Sequence, residues 1–389
     1  MFKYIRQRIA FAILALFIIS ILCFTLVSLF GPNPAEIILN KKIEGVKKQG
    51  NYEALKIAEE IRLGLRYVDG RKIPILVRYF QYIGGIFHGD FKFLLNEKLN
   101  PNPSEYTTMS KLFFQPLKYS IMISLPAFVM SAIIGITFGT IAGYQRGKWA
   151  DSTINVFVLF FIAVPSFIIA PIAITIAAKL NVAPNVLKFG DPVATTGEII
   201  KSYLPPIIVV TLGSLSVYTT YTRNQVVTVL TSNYILIAKT KGLSGIQIYF
   251  KYVLRNISIP LSAIIIPSFV FLLSGSIIVE KYWQVPGTST VIANSFPQGE
   301  IYVVMFSTLF FSFISLASEL VVDILFVILD PRITYGTKSK RNLLLFLKAY
   351  FIRRKLIKEL KRKLSNSNSD ANLLNASNSQ EQASVGGSN

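Results

Sequence analysis

Six long apolar runs limit what this chain can fold into. They fall at roughly 9–30, 118–142, 154–178, 204–222, 257–279 and 303–329. Each is close to or above the about 20 residues that an apolar helix needs to cross the hydrocarbon of a bilayer. Backbone groups find no water there, so such runs must be helices. The expected class is an all-α integral membrane protein with six spans. The overall 52% hydrophobic content agrees. The first run follows Lys3, Arg6 and Arg8 and ends at Phe30-Gly31-Pro32 without a small-residue cleavage site. It is therefore expected to be an uncleaved anchor and not a signal peptide.

The short loops set the expected orientation, because Lys and Arg collect on the cytoplasmic side. Loop 143–153 carries Arg146 and Lys148 against Asp151. Loop 223–256 carries Arg223, Lys239, Lys241, Lys251 and Arg255 with no acid. Loop 280–302, with Lys281 against Glu280 and Glu300, is assigned outside, as is the mixed loop 179–203. Both termini are then cytoplasmic, and 31–117 is a long extracytoplasmic segment with helical patterning at 52–66. After the last span, 334–364 is basic, with Arg353-Arg354-Lys355 and Lys361-Arg362-Lys363. This pattern fits a segment lying on anionic lipid. Residues 365–389 are rich in Ser and Asn and read as a disordered tail.

Several function classes are excluded or disfavoured. The net charge of +20 alternates with apolar runs and does not line one soluble domain, so no nucleic-acid partner is expected. One Cys (Cys23, a packing residue within a span) and one His (His88) cannot build a disulfide framework or a zinc site. The nearest approach to a phosphate-binding loop, Gly143 to Gly147-Lys148-Trp149, has one residue too few between its glycines and lacks Ser or Thr after the Lys. His88 and Asp90 lie in the outer segment, where Asp90 reads as a turn residue. No catalytic constellation is found. Glu319 and Asp323 lie one turn apart in the last run. Acids at that depth usually face the bundle interior or a partner, and helix pairing or interfacial placement is expected.

The most distinctive polar stretch is 234–260, between the fourth and fifth runs. Gly242 suits the left-handed residue that ends a helix. Ser244 and Gln247 have the spacing of a capping box that would start another. In that second helix Gln247, Lys251 and Arg255 stack on one side, and Ile246, Phe250, Val253 and Ile257 form the expected apolar face. Two short helices at a membrane surface make an elbow that can dock and transmit force.

With Tyr234, Ala238, Lys241-Gly242-Leu243-Ser244, Leu254-Arg255-Asn256 and Pro260, this stretch resembles the coupling loop of ABC importer permeases, in the oligopeptide and dipeptide branch. Thr240 and Ile237 depart from the usual Ala and Arg or Thr. Other patches follow in the same order. They are Tyr79 to Gly85 with Gly89-Asp90, Gly139-x-x-x-Gly143 with the Gly147 to Asp151 turn, Val164-Pro165-Ser166-Phe167, Glu280 with Pro286-Gly287, and Asp330-Pro331-Arg332. Ser289 stands where the branch has a second glycine, and Glu319 is untypical. On the residues alone, Gly135, Gly139 and Gly143 form a small-residue row for close helix packing, and Pro165 can bend the third span.

The resemblance implies the type I permease fold, with a core at 118–333. It also implies a second homologous permease, two cytoplasmic ATPases that carry the ATP and Mg, an extracellular substrate-binding lipoprotein and a peptide substrate. This chain would bind no cofactor or metal and would not be an enzyme. Tyr234, Ala238, Lys241, Gly242, Leu243, Ser244 and Arg255 would face an ATPase groove. Ser166, Tyr218 and Ser274 are candidate pathway residues by their polarity within spans. A nickel or glutathione permease, an ATP-independent channel and a membrane scaffold remain the alternatives. Spans without His disfavour nickel, and the absence of inverted repeats disfavours a secondary transporter.

Overall fold

The computed structural model describes residues 2–42, 51–190, 192–274, 277–329 and 348–360. Asp330-Pro331-Arg332, Lys361-Arg362-Lys363 and the tail 365–389 lie outside these residues. The chain divides into two units, Met1–Ile333 and Thr334–Asn389. In the first, the helices are α1 (Phe2–Phe30), α2 (Pro34–Lys42), α3 (Tyr52–Arg62), α4 (Ile75–Phe87), α5 (Met109–Tyr144), α6 (Trp149–Ala163), α7 (Ser166–Lys179) and α8 (Thr196–Leu230). They continue with α9 (Asn233–Thr240), α10 (Gly245–Ile248), α11 (Leu254–Ser274), α12 (Ile277–Tyr282), α13 (Thr288–Ser295) and α14 (Ile301–Leu329). In the second unit, α15 spans 348–360, with Tyr350, Phe351, Ile352, Leu356, Ile357 and Leu360 all exposed. No strand occurs among the described residues.

Among the described residues, five helical segments are long and apolar enough to cross a membrane, and a bent pair makes up to six. Several run well past the apolar stretches that announce them. Helix α5 starts nine residues before the apolar run, where Thr108 Oγ1 accepts from Lys111 N. Helix α8 starts at the capping box of Thr195 and Glu198 and ends at Leu230, so the first part of the 223–256 loop is helical. Exposed apolar side chains along α1, such as Phe11, Ile13 and Leu22, suit a helix solvated by lipid.

The third span is corrected. Residues 154–178 do not form one helix. The chain breaks between α6 and α7, which are bent by 102°. Pro165 has no N–H to donate and forces Val164 into extended backbone, at φ −90° and ψ 112°. The two helices have 15 and 14 residues. At 1.5 Å per residue each is roughly 20 Å long, short of the hydrocarbon thickness.

The α5–α8 contact is the most extensive in the bundle. A Cβ at Gly135 would lie 2.7 Å from Tyr218 Cβ. At Gly139 it would lie 2.5 Å from Thr219 O, and at Gly143 2.6 Å from Val226 Cγ1. The small-residue row thus lets two backbones touch. Helix α14 packs against α1, α5 and α11. Phe113 of α5 meets Phe306 and Phe310 of α14 with ring centroids 5.1 and 4.9 Å apart. At the end of the bundle where α1 begins, Arg8 Nε pairs with Asp323 Oδ2 at 3.1 Å, while Glu319 is exposed. Asp323 therefore pairs two helices.

At the other end, the segment between α1 and α5 is held by buried carboxylates. Glu300 accepts from Leu95 N and Asn96 N at 2.7 and 2.8 Å. Glu60 accepts from Asn33 Nδ2 at 2.6 Å and pairs with Arg66. Asp90 caps its own turn by accepting from Lys92 N at 2.9 Å.

Candidate functional site

The elbow is built from local signals. Helix α9 ends in a Schellman pattern: Leu243 N donates to Ala238 O at 3.3 Å and Gly242 N to Lys239 O at 3.0 Å. Gly242 holds φ at +75° with no atom near a would-be Cβ, so the requirement for glycine there is conformational and not steric. Helix α10 opens with a reciprocal capping box. Gln247 N donates to Ser244 Oγ at 3.3 Å, and Ser244 N donates to Gln247 Oε1 at 3.0 Å.

The expected apolar face of the second helix is half corrected. Ile246 and Phe250 are 73% and 63% exposed, and the buried row is Ile248, Val253, Ile257 and Leu261. Its first step is five residues, because Tyr249–Val253 forms a π turn between α10 and α11. The wider turn inserts one residue and rotates everything before it relative to α11. Gln247, Lys251 and Arg255 are all exposed.

Of the elbow residues singled out, Tyr234, Lys241, Gly242, Ser244 and Arg255 are exposed and Leu243 is half-buried. Ala238 is different. It is 2% exposed and packs with Val226, Val229, Ile235 and Ile257. It therefore seats the elbow on the bundle. Leu236 and Ile237, on the other side of α9, are exposed with Ile246 and Phe250. These four were not anticipated. The signal for the first two was available: burying Ile235 and Ala238, three apart, turns Leu236 and Ile237 outward. Beside the elbow, a cavity of about 360 Å³ lies between Thr140, Ile141 and Tyr144 of α5 and Ile246, Tyr249 and Phe250.

A larger cavity, about 760 Å³, is lined by Ser166 of α7, Ser214 and Tyr218 of α8, Ser268 and Phe271 of α11 and Val279 of α12. Tyr218 Oη shares a short hydrogen bond with Ser268 Oγ. Two of the three candidate pathway residues, Ser166 and Tyr218, thus meet in one space. Ser274 does not line it, and its Oγ donates back to Phe271 O at 2.9 Å. Ser214 and Ser268 were missed, because a serine in an apolar run carries no mark of which side it faces. The walls are mostly apolar, with the hydroxyls as isolated polar points. Among the described residues no three His, Cys, Asp or Glu side chains gather as metal ligands.

Residues 135–335, from the α5 glycine row to just beyond α14, match the family described as binding-protein-dependent transport system inner membrane component. The chain belongs to this family. Its members are permease subunits of ABC importers, and the broken span, the capped elbow and the cavity belong to a transport subunit that crosses the membrane several times. The oligopeptide transport system permease protein OppB of Mycoplasma genitalium is 30% identical over 352 residues, covering 90% of this chain and 81% of that protein. The dipeptide transport system permease protein DppB of Lactococcus lactis is 28% identical over 334 residues, covering 86% of this chain and 99% of its own length. OppB of Salmonella typhimurium is 26% identical over 262 residues, or 67% of this chain.

Proposed function

We propose that this permease forms half of the translocation pathway for oligopeptides or dipeptides, with its elbow facing the cytoplasm and docked on an ATPase subunit. The observation that carries the reading is the elbow itself. It is two short helices joined at a left-handed Gly242, fixed to the bundle through Ala238, and presenting Leu236, Ile237, Ile246 and Phe250 beside Lys239, Lys241 and Lys251. Four exposed apolar side chains among cations form a contact surface that a partner would cover. The names of the relatives support a peptide substrate, and the sparse hydroxyls of the 760 Å³ cavity suit a ligand whose side chains vary.

A second homologous permease completes the pathway, two ATPases hold ATP and Mg, and an external lipoprotein delivers the peptide. This chain performs no chemistry and binds no cofactor of its own. ATP binding closes the ATPases. The elbow carries that motion into α8 and α11 and rotates the cavity walls between outward and inward access. The basic helix α15 lies on anionic lipid. The test is mild-detergent purification of the tagged chain, mass spectrometry of what accompanies it, and peptide uptake in cells. Recovery of a second permease and two P-loop ATPases, with uptake lost on deletion, is expected. Recovery of the chain alone under conditions that preserve other complexes would sink the reading.

A further inference from the structure

Around the start of α14, far along the chain from the elbow, a cavity of about 550 Å³ is lined by Arg62, Arg78, Gln81, Tyr82, Lys92 and Tyr302. Arg78 also lines a neighbouring cavity of about 490 Å³, together with Lys72, Asn33 and Glu60, whose carboxylate is taken up by Arg66 and Asn33. The three cations of the first cavity are not equivalent. Arg62 donates to both oxygens of Glu59 at 3.1 and 2.7 Å. Lys92 Nζ donates to Asp90 at 2.6 Å. Arg78 has no carboxylate partner among the described residues, and its Nε is buried without an acceptor. Glu97 lines the same wall without pairing with Arg78.

A second orphaned donor belongs to another residue lining this cavity. Tyr82 is 2% exposed, stacks between Phe24 and Tyr302 at 6.1 and 5.4 Å, and its hydroxyl has no hydrogen-bond partner among the described residues. Burial, with Tyr302 adding to it, keeps this phenol well above its usual range, so it remains a donor at any physiological pH. Arg78 Nε and the Tyr82 hydroxyl are both buried without an acceptor among the described residues, on two side chains that line one cavity, and an anion there would meet the uncompensated charge of Arg78. Guanidinium matches the oxygens of a phosphate in two parallel hydrogen bonds. Leu76, Val77 and Phe80 are exposed on the same helix as Arg78, and Leu29 and Phe30 are exposed at the end of α1. These five give acyl chains an apolar surface beside the charged pocket.

We infer that this cavity is an oxyanion site that holds a phosphate, either in a phospholipid headgroup or free in solution. The test uses the full-length chain, stripped of lipid in a phosphate-free detergent, and follows thermal unfolding at constant ionic strength. Inorganic phosphate and phosphatidylglycerol are the probes. Wild type is expected to gain stability with at least one. Stabilisation by phosphatidylglycerol alone identifies the headgroup, and equal stabilisation by inorganic phosphate identifies a free anion. Arg78→Gln should weaken the response tenfold or more and Arg78→Lys less. Tyr82→Phe removes only the orphaned hydroxyl. It should leave the unliganded protein as stable as wild type or more so, and weaken binding several-fold. No response in wild type, or unchanged responses in Tyr82→Phe and Arg78→Lys, would overturn the site even if Arg78→Gln failed to fold.

Discussion

Arg223 of α8 donates Nε and Nη2 to the two carboxylate oxygens of Asp151, at 2.6 and 2.7 Å, and so ties α8 to the first turn of α6. The Asp151 side chain is only 5% exposed and also accepts from Gly147 N and Asn155 Nδ2. The pair stands where the elbow side of α8 meets the broken third span, so it is placed to make the two move together. Removing one partner of such a pair leaves an uncompensated buried charge. Arg223→Gln is expected to cost about 3 kcal/mol. The double change Asp151→Asn with Arg223→Gln should recover most of it, because both charges are then gone. Thermal unfolding in detergent reads both. Equal losses in the single and double variants would show that the pair is not what holds α6 to α8.

The turn at Gly242 makes a separate prediction for transport. Open space surrounds the residue, so only its positive φ resists substitution. A β-branched residue pays the left-handed penalty of about 1–2 kcal/mol, whereas Asn visits that region readily. Gly242→Val should therefore lower peptide uptake several-fold with normal membrane insertion, and Gly242→Asn should retain most of it. Equal uptake in the two variants would contradict a role for the left-handed turn.

What the sequence reveals here depends on how local the cause is. The caps at Gly242 and at Ser244 with Gln247 involve residues within five positions of each other, and both form. The glycine row of α5 was visible as a spacing, although its partner α8 was not. The π turn at Tyr249–Val253 leaves no compositional trace, since it is a change in hydrogen-bond register. That is why Ile246 and Phe250 were expected on the buried face. The partnership of Asp151 with Arg223 joins residues 72 positions apart. Each had been counted only as a loop charge. Pro165 announced a bend, but not that two half-length helices would result. The orphaned donors Arg78 and Tyr82 were invisible in the sequence, because what distinguishes them is missing neighbours.

The segment between α1 and α5 should respond to acid. Burial pushes the Glu60 carboxyl up, but the hydrogen bonds from Arg66 and Asn33 outweigh it and hold the group below its ordinary value of 4.5. A carboxylate with a depressed folded value contributes stability that is fully present above the unfolded value and is lost as the pH falls through the folded one. Limited proteolysis of 51–108 should therefore be slow at neutral pH and accelerate as the pH drops below about 4.5. Glu60→Gln, which cannot titrate, should be cleaved faster at neutral pH and show a flatter profile. An unchanged profile in that variant would assign the acid response to another group.

Two glycines of the α5–α8 pair should respond to alanine in opposite ways. A Cβ at Gly139 would lie 2.5 Å from Thr219 O, 2.6 Å from Thr222 Cβ and 2.9 Å from Arg223 N. Two of those three atoms are backbone, so no rotamer change relieves the contact and the helices must separate. Gly139→Ala is expected to cost roughly 1–3 kcal/mol, as overpacking does elsewhere. Separation would also strain the neighbouring Asp151–Arg223 pair, since Arg223 N is itself one of the atoms in the way. Gly213, in the middle of α8 and on the wall of the 760 Å³ cavity, has no atom within 4 Å of its would-be Cβ. Alanine there should instead stabilise by about 0.5–1 kcal/mol, by restricting the unfolded chain. Its added methyl group enters the cavity, so uptake of bulky peptides should fall while stability rises. Thermal unfolding of the two variants should shift in opposite directions. A Gly139→Ala variant as stable as wild type would mean that the close approach of α5 and α8 at Gly139 is not what sets their spacing.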